Sequence, residues 1–146
     1  MVRLGSANGS SMKKRRTAGT LLCAFILCAA LAGCGSYASQ AEKYLREASS
    51  EVAGTAYVLE RFGAGEVSEP FVRSSLQQYA KAMQSTGQSL QGLEPPPGAR
   101  EEHERAVEAL SRAQDLTQEA GREGVEPAEA EDLARHLRDL QGELTA

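Results

Sequence analysis

The 146-residue chain contains no tryptophan and few other aromatic residues, three Phe and four Tyr. β-Branched residues, which suit a pleated half-buried surface, are sparse, so a sheet-based core is excluded. Histidine is nearly absent: His103 and His136 are the only two. A di-iron bundle needs Glu three residues before its His, but Arg100 and Leu133 occupy those positions. There is no Cys-x-x-Cys-His run for covalent haem and no glycine-rich phosphate cradle. No serine has a plausible His/Asp setting. The sequence therefore predicts no enzyme and no cofactor.

Cysteine is also rare. Two of the three, Cys23 and Cys28, lie within an unbroken apolar run of 12 residues, Leu21 to Ala32. That run follows the basic cluster Lys13-Lys14-Arg15-Arg16 and falls short of the ~20 apolar residues a spanning helix requires. It closes on Leu31-Ala32-Gly33-Cys34, where small residues let a peptidase approach the bond before Cys34. This N-terminus resembles the signal peptide and lipobox of a bacterial lipoprotein. The resemblance covers residues 12–35 and implies that Cys34 is lipidated and becomes the first mature residue. Met12 is an alternative start. Arg15-Arg16 resembles a twin-arginine signal, but Thr17-Ala18-Gly19 lacks the apolar residues that follow such a pair, which favours the general secretory route. An uncleaved anchor is the competing reading.

The implied organisation is a signal peptide over 1–33, a lipid anchor and short tether over 34–36, and a folded domain over 37–146. The expected location is the extracytoplasmic side of the cell membrane, reached through acyl chains on Cys34. Two chains satisfy the requirement for stable rather than marginal attachment. The mature chain would keep a single acylated thiol, so packing rather than disulfides must stabilise it.

Residues 1–33 hold five Lys/Arg and no Asp/Glu, which leaves 11 basic against 20 acidic residues, a net charge of −9. That sign opposes nucleic-acid binding and disfavours lying flat on anionic lipid. A 113-residue mature chain is of single-domain length. It is rich in Ala, Leu, Glu, Gln and Arg, which lose little rotamer freedom in helices.

Periodicity specifies the fold. Ala41, Leu45, Ala48, Val52, Thr55, Leu59 and Phe62 alternate steps of four and three, the stripe of a helix facing partners. Val72, Leu76, Tyr79, Met83, Thr86, Leu90 and Leu93 repeat it. Ala106, Leu110, Ala113 and Thr117 form a third stripe, broadened by Val107 and Leu116; Ala130, Leu133, Leu137, Leu140 and Leu144 form a fourth. Breaks fall at Gly63-Ala64-Gly65, at Glu94-Pro95-Pro96-Pro97-Gly98, and at Gly121 to Gly124. Ser68 is placed to cap the second helix with Pro70 in its first turn, and Pro127 opens the fourth. These signals predict an all-α, antiparallel up-down-up-down four-helix bundle. Thr55, Thr86 and Thr117 recur every 31 residues, but antiparallel folding puts them in different layers. Each is expected to bond its own preceding turn.

Few residues remain to carry function. Met83 and His103 cannot share a haem iron: folding about Pro96 sets them about 10 Å apart along the axis, so Met83 reads as core filler. His103 is expected at the bundle's end, bonded to a carboxylate or loop carbonyl; His136 is expected to face solvent. The segment Leu93-Glu94-Pro95-Pro96-Pro97 with His103 resembles a Leu-x-Pro-Pro…His pattern of secreted bacterial helical proteins to which no activity is attached. The resemblance implies that turn and histidine form one local structure, making His103 a possible structural or ligand site. Acidic residues in the first turns, such as Glu101, Glu102 and Glu129, complement helix dipoles without a metal.

Tyr57, on the outer side of the first helix, is a candidate contact for an envelope protein partner. The function read from the sequence is a membrane-anchored interaction or scaffold module. The alternative is a small-ligand or metal carrier that uses the bundle interior. With only Gly35 and Ser36 before Tyr37, the bundle is expected close to the bilayer. Pro95–Gly98 and His103 would lie near the membrane, with the Gly63–Ser68 turn pointing away.

Overall fold

A computed structural model describes residues 14–145, with side chains from residue 37 onward. The chain divides into two units, Met1–Ser36 and Tyr37–Ala146. Four helices make up the fold: α1 (Lys14–Gly63), α2 (Glu69–Gln91), α3 (Arg100–Glu123) and α4 (Pro127–Thr145), with a short 3-10 turn at Pro97–Ala99. No strand occurs among the described residues. The second unit is an all-α helical bundle, as the composition and the stripes predict.

The stripes are the core. Val52, Leu59, Leu76, Met83, Leu110, Leu137 and Leu140 are at most 1% exposed. Burying a leucine fully contributes about 1.5–3 kcal/mol each. Alanines flank the leucines: Ala48, Ala56, Ala109, Ala113, Ala130 and Ala134 are buried, which lets helix backbones approach closely. Tyr79, Leu45 and Leu133 lie on the predicted stripes but only at the margin of this core.

Interhelical contacts fix the neighbours. Gln77 Nε2 donates to the Gly121 carbonyl between α2 and α3 at 3.3 Å. Arg112 reaches Glu143 between α3 and α4 at 2.6 Å. The Arg138 guanidinium grips both carboxylate oxygens of Glu60 on α1 at 2.7 Å, and Gln141 Nε2 donates to Ser49 Oγ at 3.3 Å. Most remaining ion pairs, such as Lys43–Glu47 and Arg46–Glu42, run along one exposed helix face and contribute little.

The ends differ in detail from the sequence reading. α1 stops at Gly63, and Gly65 takes the left-handed φ of +72° that turns the chain. Ser68 occupies the N-cap position in extended geometry, yet its side chain makes no capping bond. Pro70, in the first turn, removes one of the amide groups that a cap would serve, and Glu69 complements the helix dipole there. Gly121 is not a terminator. It lies inside α3, buried against Leu76 and Gln77 of α2, while Gly124 (φ +85°) closes the helix. At this end Phe62, Val72, Ala120 and Val125 come together.

Candidate functional site

The main concave feature of the bundle opens at the opposite end from the Gly65 turn. It is a cleft of about 510 Å³. Its apolar surface comes from Ala41 and Leu45 of α1, Leu90 of α2, Ala106 of α3 and Leu144 of α4. These residues meet because the four stripes continue to the helix ends there. Polar groups border the surface: Tyr37 and His103 at the foot, Ser49 and Thr145 at the head, and the Glu42–Arg46 pair along one side.

His103 therefore belongs to this cleft. It is half-buried, and its Nδ1 lies 3.2 Å from the Tyr37 hydroxyl. The rings are 6.0 Å apart and tilted by 52°. The sequence reading expected a carboxylate or a loop carbonyl here; the partner is a phenol from the first turns of the bundle domain. Partial burial, with Glu102 nearby, raises the Tyr37 pKa above the ordinary tyrosine value. The phenol keeps its proton at neutral pH, and its hydroxyl can donate to Nδ1 or accept from it, according to the tautomer of the ring. Tyr37 was not singled out in the sequence, because contact with His103 spans 66 residues and no local pattern announces it.

A second polar feature lies between α1 and α2. Thr86 donates to Glu51 Oε1 at 3.0 Å, instead of to its own preceding turn as expected. A carboxylate oxygen within reach is the stronger acceptor. Thr55 and Thr117 do bond back within their helices, to the carbonyls of Glu51 and Ala113. Glu51 Oε2 is buried without a hydrogen-bond partner. Burial raises the Glu51 pKa; the Thr86 bond opposes that shift, and Glu47 adds to it. The spacing 48-51-55 could have revealed Glu51, since it follows the same three-four step as the stripe.

Other candidates lie apart from the cleft. Tyr57 is 56% exposed, with Arg61 stacked 5.8 Å from its ring centre. His136 faces solvent, and Met83 is wholly buried. Cys34, the expected lipidation site, and the expected signal peptide lie outside the side chains described, and Met12 lies outside the described residues. Among the described residues, no group of three or more His, Cys, Asp or Glu could hold a metal. No helix there is long and apolar enough to cross a membrane.

No family model matches the chain, and neither a curated protein nor a solved structure matches it. The site's chemistry rests on its own geometry. An apolar surface with donors and acceptors at both ends can bind a partly apolar body and orient it. Within the cleft, Ser49 Oγ accepts from Gln141 Nε2.

Proposed function

We propose that this chain is a lipid-anchored lipoprotein of the bacterial cell envelope, and that its bundle is an interaction or scaffold module rather than an enzyme. The acyl chains sit on Cys34, at the extracytoplasmic face of the cell membrane. The observation that carries the reading is where the cleft lies. Its foot is built by Tyr37, three residues beyond Cys34 in the sequence. Even fully extended, three residues would reach only about 10 Å, so an anchor at Cys34 would keep the cleft at the membrane surface.

The reading takes the helices in up-down-up-down order. Contacts such as Gly54 against Tyr79 and Arg112 with Glu143 support it. Tyr57 then offers a second, lateral contact for an envelope protein. The carrier reading is favoured by one observation, the cleft volume of about 510 Å³, which falls in the range of about 300–1,000 Å³ typical of small-molecule sites.

Mass spectrometry of protein extracted from membranes tests the anchor: a diacylglyceryl-modified Cys34 as first residue is expected. Cys34→Ala should leave unprocessed precursor. Mature protein beginning elsewhere, without lipid, would overturn the reading. Crosslinking in intact cells separates the two functions, since a scaffold yields protein adducts at the cleft. Saturable stabilisation by a metal or small molecule favours the carrier.

A further inference from the structure

Two glycines let α2 and α3 approach each other. A Cβ at Gly121 would lie 3.4 Å from Leu76 and 3.5 Å from Gln77, and one at Gly87 would lie 3.7 Å from Leu110. From Gln77 to Gly87 α2 advances about 15 Å. Between these two approaches lies Ala80, whose side chain is a single methyl, and a cavity of about 270 Å³ opens over it. All of its lining residues belong to α2 and α3, and none is shared with the cleft at Tyr37 and His103.

The lining is polar and carries charge of one sign. Gln77 and Gln84 of α2 and Gln114 and Gln118 of α3 surround the space with carboxamides, and Lys81 and Arg122 stand beside them. The chain holds 20 acidic residues, yet none of them borders this cavity. Arg73, Arg112, Arg135 and Arg138 each pair with a carboxylate, whereas Lys81 and Arg122 form no ion pair among the described residues. Gln114 is half-buried. Like Gln84 and Gln118, it makes no hydrogen bond to another described residue. Gln77 donates Nε2 to the Gly121 carbonyl and keeps its own carbonyl oxygen as an acceptor.

A carboxamide sets N–H donors beside a carbonyl acceptor, which complements two neighbouring hydroxyls, each able to donate and accept. Two cations bordering one space complement a carboxylate, through charge-assisted hydrogen bonds roughly twice as strong as neutral ones. The volume falls just under the range of about 300–1,000 Å³ typical of drug-sized ligands, which suits a single sugar ring. Ala80 is the only apolar residue in the lining, so there is no pocket for the apolar side chains of a peptide. We propose that the α2–α3 cavity binds a sugar acid, free or as one unit of a polysaccharide. Its carboxylate lies on Lys81 and Arg122, and its hydroxyls lie on the four carboxamides. This site goes beyond the interaction-module reading and stands whether or not Cys34 carries lipid.

Glutamine side-chain amides report on the site directly in NMR spectra of the full chain, isotope-labelled at those nitrogens and reconstituted in phosphatidylcholine nanodiscs. Galacturonate and tetragalacturonate are titrated, with galactose, inorganic phosphate and trialanine as comparisons. The amides of Gln84, Gln114 and Gln118 should shift saturably with a Kd of about 1 mM, while that of Gln141, engaged with Ser49, stays in place. Lys81→Met and Arg122→Met should each weaken binding about tenfold at unchanged Tm. Arg105→Met removes a cation outside the cavity and should leave binding unchanged. Saturation by galacturonate identifies the free acid; saturation by tetragalacturonate alone identifies the polysaccharide unit. No saturation by either acid overturns the inference, as does equal saturation by galactose, phosphate or trialanine. Equal weakening by Arg105→Met would reduce the effect to overall charge and overturns it as well.

Discussion

Thr86 reaches across from α2 to hold Glu51 of α1 at 3.0 Å, and this bond satisfies only one of the two carboxylate oxygens. The other is buried unpaired, and burial raises the carboxyl's pKa above its ordinary 4.5. A carboxyl whose folded pKa is raised favours the fold when protonated. Its stabilising share is complete below about pH 4.5 and is lost as pH rises through the folded value. Glu51→Gln should therefore stabilise at pH 7, by up to about 1 kcal/mol given the partial exposure. The advantage should shrink as pH falls towards 4. Thermal melts of both proteins across pH 4–8 check this; a constant difference would show that Glu51 ionisation is not the cause.

Gly54 packs its bare backbone against Tyr79, and a Cβ there would lie 2.6 Å from the phenol oxygen. Helix propensity alone favours Gly→Ala by about 1 kcal/mol. At Gly142, with nothing within 4 Å of a built Cβ, that gain should appear in full. At Gly54 it should vanish or reverse, because the Tyr79 ring has to move. Combining Gly54→Ala with Tyr79→Ala should restore the propensity gain, as a double-mutant cycle would show. If Gly54→Ala stabilises as much as Gly142→Ala, the close approach is not a constraint.

The helices were legible in the sequence because one apolar stripe is a strong local signal. Leu76, Leu110 and Leu137 occupy the core as their spacing demands. The cleft was legible only in part. His103 could be placed at an end of the bundle, but its partner depends on how α1 and α3 meet, which lies 66 residues away. Thr86 misled for the same reason: a threonine's local options are visible in a sequence, while a carboxylate from another helix is not. Ser68 had the right residue type at the right place, yet its hydroxyl makes no bond.

Leu76→Asp and Leu110→Asp each place an ionisable group where the native side chain is at most 1% exposed. Each should cost about 3 kcal/mol or more. Glu102→Ala, on an exposed turn of α3, should leave the melting temperature nearly unchanged. It should also lower the Tyr37 pKa, since Glu102 is one of the two causes that raise it. Circular dichroism and ultraviolet titration read the two effects separately. Comparable stability for all three variants would contradict the assigned core.

Tyr37→Phe deletes the hydroxyl that pairs with His103 Nδ1 and should cost about 1 kcal/mol. The local signature is more specific than the global one. The His103 ring resonances should shift and broaden in NMR spectra while the Met83 methyl, deep in the core, stays in place. An unchanged His103 spectrum would dissociate the two residues.

The pairing of α1 with α4 has a consequence for how the protein comes into being. Ser49 waits for Gln141, 92 positions later, and Glu60 for Arg138, 78 positions later. A chain emerging N-terminus first from a ribosome or a translocation channel thus exposes one flank of α1 until nearly everything else has appeared. Contacts this distant in sequence slow folding, and they leave the nascent chain with a sticky, alanine- and leucine-lined flank. An anchor at Cys34 would hold that unfinished intermediate at the membrane, apart from its neighbours, until α4 arrives to cover it.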